Sequence, residues 1–136
     1  MFKKYISSLV LLTSLQFVDA QTFIQAYQDR ANQVSQSNIN TYLQEFEALG
    51  VKRTGTTQNT NAFNWLKNKY TALGYTTANF QEHSWTANNL SSKNLIVTKT
   101  GTLYPNKFVI VCGHFDSING PGTNDNGSGT SIILEI

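Results

Sequence analysis

Cysteine and charged residues are both scarce in this sequence of 136 residues. A single cysteine, Cys112, excludes an intramolecular disulfide, so no disulfide framework supports the fold. Charged residues make up 13% of the chain, its net charge is +2, and its basic residues are scattered. This distribution argues against nucleic-acid binding and against binding to a membrane surface. Because Cys112 lies in an apolar run, we expect it to be a small buried core residue rather than a nucleophile.

The sequence also lacks an apolar run long enough for a stable membrane span. Its apolar N-terminal stretch, residues 5–18, is broken by polar residues and falls short of the ~20 residues that a transmembrane helix needs. Two lysines precede this stretch, and Val-Asp-Ala at 18–20 offers a plausible cleavage site. We therefore predict that residues 1–20 form a signal peptide and that the mature chain begins at Gln21. The protein is then exported, either secreted or periplasmic, and leaves the membrane after cleavage.

Three amphipathic helices are predicted in the first half of the mature chain. Apolar residues recur at helical spacing in residues 22–35, 39–49 and 61–73. Ser-Gln-Ser-Asn at 35–38 should end the first helix and cap the second, and Gly50 and Gly74 should end the second and third. We expect all three apolar stripes to face the core.

The hydrophobic period changes after the third helix and predicts strands at residues 75–85, 94–99 and 108–112, with turns between them. His83, in the first strand, should face solvent, because no acidic or histidine neighbour has metal-ligand spacing. The third strand is apolar without alternation, which is typical of a strand buried on both faces. Helices, paired strands and then a buried strand that leads into a helix indicate an α/β sandwich whose sheet continues beyond this sequence.

Two side chains that can bind or support a metal come after the third predicted strand. His114 and Asp116 are two residues apart, and on a strand such residues project to the same face. A metal-binding histidine needs a partner for its second ring nitrogen, and Asp116 could be that partner. Asp125 lies further along in a glycine-rich loop, where a carboxylate could bridge two cations. The alternative is that Asp125 is a turn or helix-capping residue.

A calcium-binding loop is a second possible interpretation of the same segment. Asn124, Asn126, Ser128, Gly129 and Glu135 occupy positions 1, 3, 5, 6 and 12 of the calcium-loop pattern. The first position would be Asn rather than Asp, and the preceding segment is predicted as a strand rather than a helix. The last position, Glu135, falls within a predicted helix, so the calcium interpretation is disfavoured.

The combined motif resembles the co-catalytic di-zinc exopeptidase family, which includes bacterial leucyl aminopeptidases, glutamate carboxypeptidase and the glutaminyl cyclases. The resemblance rests on His-Phe-Asp-Ser at 114–117 and on Pro-Gly-Thr-Asn-Asp-Asn-Gly-Ser-Gly at 121–129. Arg-Thr-Gly at 53–55, Leu-Gly-Tyr at 73–75 and Asn-Leu-Ile-Val at 94–97 also fit the family pattern. It implies a three-layer αβα sandwich with a mixed, mostly parallel sheet, truncated here at its C-terminal side.

The resemblance also implies the roles of the site residues. His114 would ligate one zinc ion, Asp125 would bridge two zinc ions, and Asp116 would act in catalysis by supporting His114. The peptide bond after the bridging aspartate is often cis in this family, so we expect a cis Asp125–Asn126 bond. The implied function is a secreted zinc-dependent aminopeptidase that removes N-terminal residues from peptides with a zinc-activated water.

The sequence departs from the family on the C-terminal side of Asp125. The family needs a general-base Glu and further Glu, Asp and His ligands. After Asp125 this sequence contains one acidic residue, Glu135, and no histidine, and Glu135 is not assigned as the base. We expect residues 21–136 to be the N-terminal portion of an incomplete and inactive catalytic domain. The alternatives are a non-catalytic or remnant binding module of the same fold, and a carboxypeptidase or glutaminyl cyclase relative.

Overall fold

The computed structural model describes residues 22–136, so the predicted signal peptide and the predicted mature terminus lie outside the described residues. The chain divides into two compact units between Gln33 and Val34. Within the described residues, no helix has the length and apolar character needed to cross a membrane.

The first unit contributes one short helix, α1, Gln25–Ala31. It is shorter than the predicted span of residues 22–35, and Phe23 and Tyr27 are exposed rather than core-facing. Helix α1 contains no buried residue, and its N-cap makes no side-chain hydrogen bond. Packing supplies most of the stability of helices in proteins. A helix of two turns that has neither a side-chain cap nor a buried face is therefore not stabilised enough to extend further.

The second unit begins with two longer helices, α2, Gln36–Ala48, and α3, Thr57–Ala72. The Ser35 hydroxyl accepts a hydrogen bond from the Asn38 amide and caps α2, as predicted. The Thr56 hydroxyl caps α3 in the same way, which explains why this helix begins four residues earlier than its apolar stripe predicts.

The core of this unit lies where α2, α3 and the final helix, α4, Ser128–Glu135, come together. Its fully buried aromatic residue is Phe46, whose ring meets that of Trp65 edge-on at a centroid distance of 5.8 Å. Helix α3 also packs against the second strand of a hairpin. The buried apolar side chains are Phe46, Ala62, Phe63, Leu66 and Leu134.

The hairpin consists of β1, Phe80–Ala87, and β2, Leu90–Val97, paired antiparallel. Residues 77–79, predicted as strand, form a 3₁₀ turn in which Thr76 and Asn79 cap each other. The turn between the strands is only Asn88-Asn89, with φ values of 50° and 63°, so it is shorter than the gap between the predicted strands at residues 75–85 and 94–99. Asparagine tolerates this left-handed conformation, which two-residue hairpin turns require.

The predicted strand at residues 108–112 is wrong for the described part of the chain. This segment is extended without sheet pairing, and Val109 is 94% exposed. Cys112 is exposed as well, which corrects the expectation of a buried core residue. A strand needs hydrogen-bonding partners on its edges, and residues 22–136 supply none for this segment.

An open groove of about 1330 Å³ separates this unpaired apolar segment from β2. Leu95 and Val97 of β2 line this groove, as do Phe108 and Ile110 of the unpaired segment. The described residues therefore form a mixed α/β structure with a two-stranded antiparallel sheet. The predicted three-layer sandwich with a mostly parallel sheet is not confirmed by this hairpin.

Candidate metal centre

The backbone of His114 is fixed by helix α4. The Thr130 hydroxyl donates a hydrogen bond of 3.1 Å to the His114 carbonyl oxygen. Just before it, Gly113 lies so close to Asn126 and Ile133 that a Cβ atom would stand 2.9 Å from the Asn126 amide nitrogen. Close packing on α4 therefore holds the end of the unpaired segment and directs the imidazole toward the loop that precedes this helix.

The structure brings His114, Asp116 and Asp125 together, as the sequence predicts. The His114 Nδ1 atom lies 3.1 Å from Asp116 Oδ1 and 3.2 Å from the Asp116 carbonyl oxygen. The His114 Nε2 atom lies 3.0 Å from Asp125 Oδ1. The imidazole is therefore held between two carboxylates, one at each ring nitrogen.

The contact between His114 and Asp125 is favourable only when a cation or a proton lies between the two side chains. In the neutral tautomer with the proton on Nδ1, this proton is donated to the Asp116 oxygens beside it, and Nε2 has only a lone pair. A lone pair facing a carboxylate oxygen at 3.0 Å is repulsive unless a proton or a metal ion lies between them. In this tautomer, Nε2 and Asp125 are donors that could hold a cation together.

The donor atoms fit zinc in type and spacing. Zinc binds imidazole nitrogen at 2.0–2.1 Å and carboxylate oxygen at 2.0–2.2 Å, so two tetrahedral ligands stand ~3.3 Å apart. The observed 3.0 Å between His114 Nε2 and Asp125 Oδ1 requires only a small adjustment. The Asp125 side chain is 90% exposed and that of His114 is 51% exposed, so both remain open to a ligand.

The electrostatics of the site favour positive charge at His114. Burial opposes protonation of His114, but the Asp116 backbone carbonyl and the Asp125 and Asp116 carboxylates outweigh it. Together these groups raise the pKa of His114 above its ordinary value. The same negative field that favours a proton at this imidazole favours a bound cation beside it.

The loop that carries Asp125 depends on two glycines. Gly122 has a φ of +67°, and a Cβ atom there would stand 2.7 Å from both the Asp125 carbonyl oxygen and the Ser117 Cβ atom. A Cβ atom at Gly127 would stand 2.7 Å from the Phe46 ring. The turn of residues 123–127 is thereby pressed onto the core, and its Asp125–Asn126 peptide bond is cis, as expected.

The described residues supply only part of a complete metal site. Residues 22–136 contain no cluster of three or more His, Cys, Asp or Glu side chains arranged to hold a metal ion. Glu135 Oε1 instead accepts hydrogen bonds from the Ser35 amide at 2.7 Å and the Asn38 side chain at 3.4 Å. This engagement agrees with leaving Glu135 unassigned as the base, and it argues against a calcium loop that ends at Glu135.

Two residues that contact the loop before Asp125 are missed by sequence reasoning. Lys52 and Ser117 are both buried and bond to each other through backbone and side-chain atoms. In the sequence, Lys52 looks like an ordinary loop lysine, so no sequence signal identifies it.

His83, which the sequence predicts to face solvent, is exposed, and so is Arg53.

The sequence is similar to a peptidase family and to known peptidases. Residues 94–136 match peptidase family M28. The chain is 29% identical over 105 residues to "Leupeptin-inactivating enzyme 1" of Streptomyces exfoliatus, covering 73% of this chain and 23% of that protein. It is 26% identical over 130 residues to a "Probable zinc metalloprotease" of Pyrenophora teres f. teres (strain 0-1), covering 77% of this chain and 27% of that protein.

The chain therefore spans about a quarter of the length of the curated relatives that it matches. No solved structure matches the chain.

Proposed function

The chain carries part of a domain of the co-catalytic zinc exopeptidase family, and from this premise we propose that the protein is a secreted zinc-dependent aminopeptidase. The single observation that supports this function best is the placement of His114 between Asp116 and Asp125, at 3.1 and 3.0 Å. The family implies zinc, and two bound ions are part of the proposal.

In the proposed site, each of the three residues has a separate task. His114 and Asp125 would hold the zinc ions, with Asp125 shared between the two ions. Asp116 accepts the Nδ1 proton of His114 and so keeps the Nε2 lone pair directed at the metal. When bound, zinc supplies an activated water and polarises the peptide carbonyl.

We also propose that residues 21–136 form the N-terminal portion of a larger catalytic domain. A catalytic zinc site uses three protein ligands per ion, whereas His114 and Asp125 provide two ligands in total. The relatives are about four times as long as the matched segment, which leaves room for the remaining ligands and for the general base. The proposed three-layer sandwich would place further strands in the groove beside β2.

Export and peptide binding complete the proposal. A chain cleaved after Ala20 would begin at Gln21 and act on peptides outside the cytoplasm. The Asp125 side chain is 90% exposed, so a peptide can approach the zinc ions that Asp125 would hold.

The function is tested by hydrolysis of leucine p-nitroanilide by the protein expressed from its complete coding sequence. Activity should disappear when a chelator removes the metal and should return when zinc is restored. The N-acetylated substrate should not be cleaved, because an aminopeptidase requires a free amino terminus. Metal-independent hydrolysis would contradict the zinc mechanism, and equal cleavage of the blocked substrate would contradict the exopeptidase assignment.

A matched pair of variants localises the activity. Asp125→Asn removes one carboxylate charge from the site, and activity should fall more than about 100-fold. Asp29→Asn makes the same chemical change on α1, where the carboxylate accepts a hydrogen bond from Gln25, and activity should be unchanged.

A further inference from the structure

Lys52 lies between α2 and α3 and is completely buried. Its Nζ atom donates three hydrogen bonds to backbone carbonyl oxygens, at 3.0 Å to Phe46, 2.7 Å to Gly50 and 2.6 Å to Pro121. The ammonium also stands 3.9 Å from the centroid of the Phe46 ring. All three donors of the ammonium group are therefore satisfied within the fold.

A buried ammonium group is energetically unfavourable unless its surroundings compensate for lost hydration. Burial lowers the pKa of Lys52, although the charge of Glu47 opposes this shift. An apolar side chain could fill this position without the desolvation cost of a buried charge. The distinctive property of this lysine is the set of backbone segments that it joins.

Lys52 contacts both ends of the loop between the two halves of the metal centre. At one end, its amide donates to the Ser117 hydroxyl at 3.0 Å, and its carbonyl oxygen accepts from the Ser117 amide at 3.3 Å. At the other end, its ammonium binds the Pro121 carbonyl oxygen. Ser117 directly follows Asp116, and Pro121 precedes the glycine turn that carries Asp125.

The attachment is itself anchored to the rest of the fold. The buried Asn59 side chain donates to the Lys52 carbonyl oxygen at 3.3 Å and accepts from the Ser92 hydroxyl of β2 at 2.6 Å. Helix α3 and the hairpin thus fix the Lys52 backbone, and Lys52 fixes the loop.

We propose that Lys52 is a positioning residue of the metal centre, which sets the spacing of Asp125 from His114 by holding residues 117–121 at both ends. The proposal rests on the proposed zinc binding by His114 and Asp125. Zinc affinity depends on this spacing, because ligands that are already placed need no ordering when the ion binds.

The test compares Lys52→Met with Lys69→Met in the full-length protein. Lys69 is a matched control because it also joins α2 to α3, through Glu45. The residues that it contacts in the described part of the chain, Glu45, Tyr42 and Trp65, lie outside the loop. Zinc affinity is measured by competition with a chelator, and the mobility of the loop is measured by hydrogen exchange of the metal-free protein.

Lys52→Met should weaken zinc binding about 10- to 100-fold, the range seen when partners of metal ligands are removed. In the metal-free protein it should speed amide exchange in residues 117–127 at least about tenfold, while exchange in α3 stays unchanged. Lys69→Met should change neither quantity. Wild-type zinc affinity or wild-type loop exchange in Lys52→Met would overturn the proposal.

If Lys52→Met fails to fold, Ser117→Ala decides the question, because it removes one attachment of the loop without touching the ammonium. It should weaken zinc binding about three- to tenfold, the equivalent of one hydrogen bond, and unchanged affinity would overturn the proposal. A wild-type protein that binds no zinc would refute the proposed function itself. That outcome is distinct from a protein that binds zinc equally well with and without Lys52.

Discussion

At the scale of single residues, the metal centre is determined by which ring nitrogen of His114 meets which carboxylate. Asp116 occupies Nδ1 and Asp125 lies opposite Nε2, at 3.1 and 3.0 Å. The two aspartates therefore have different tasks although they have the same chemistry. In the proposed site, Asp116 orients the imidazole and Asp125 shares the cation with it.

Replacing Asp116 by Asn should weaken zinc binding about 10- to 100-fold, since the amide no longer provides a carboxylate to accept the Nδ1 proton and fix the tautomer. Chelator competition measures this change in the complete protein. The Asp29→Asn variant should keep wild-type affinity, and an equal loss in both variants would show that the effect is not specific to the site.

A second residue-scale prediction concerns Glu82 on β1, which pairs with Lys67 of α3 at 2.6 Å and with Lys93 of β2 at 2.8 Å. Hydrogen bonds from Lys67 and Lys93 lower the pKa of Glu82 from 4.5 to about 2. Because the folded-state pKa is depressed, the stabilisation is present above pH 4.5 and is lost as the pH falls toward 2.

The free energy of unfolding of Glu82→Gln should accordingly be lower than that of the wild type at pH 7, and this difference should vanish near pH 2. Urea titrations across this range measure it. A difference between the two proteins that stays constant from pH 7 to pH 2 would contradict the ion-pair explanation.

At the scale of elements, the molecule depends on how α2, α3 and α4 enclose Phe46. This side chain contacts Trp65 and Lys52, and it leaves no space for a Cβ atom at Gly127. Phe46 therefore packs both in the core and against the turn that carries Asp125, so a change in the packing of α2 should also displace this turn.

Phe46→Ala should lower the free energy of unfolding by about 3–5 kcal/mol, because it removes a fully buried aromatic ring. Phe23→Ala removes the same ring from an exposed position and should change stability by less than about 0.5 kcal/mol. Urea denaturation of both variants measures the contrast, and similar losses in both would show that Phe46 is not the centre of the core.

The elements differ in how far the sequence could predict them. Helices α2 and α3 follow from local apolar stripes, and the cap at Ser35 follows from local side-chain chemistry. The segment at residues 108–112 could not be predicted in the same way, because strand formation depends on partners that are distant in sequence. The hairpin turn is shorter than predicted because two asparagines accept the left-handed conformation.

The residues of the site also differ in whether the sequence could identify them. The sequence identifies His114, Asp116 and Asp125 as candidates through their residue types and the family resemblance of their motif, and the structure places the three side chains together. Lys52 could not be predicted, because its partners are backbone carbonyl oxygens at positions 46, 50 and 121, which any sequence provides.

At the scale of the whole molecule, the described residues expose an apolar segment beside an open groove. Phe108, Val109 and Ile110 are each at least 80% exposed, and they line the groove together with residues of β2. A contiguous exposed apolar surface of this kind marks an interaction site or a site of aggregation. The proposed larger domain would cover this segment with further strands.

The polypeptide of residues 22–136 should therefore bind the dye ANS, and Ile110→Ser should reduce that binding.

In the complete protein, the same substitution should lower the free energy of unfolding by at least about 2 kcal/mol, because the proposed sandwich buries Ile110. Ile118→Ser, at an exposed position away from the groove, should change stability by less than about 0.5 kcal/mol. Equal effects of the two substitutions in the complete protein would contradict the proposed sandwich.

The central claim is that His114 and Asp125 hold zinc, and zinc content tests it most directly. Zinc per chain is measured by mass spectrometry in the complete protein, in the wild type and in the His114→Ala and Asp125→Ala variants. We predict two zinc ions per chain in the wild type and at most one in each variant. A wild-type protein without zinc, or variants that retain both ions, would contradict the claim.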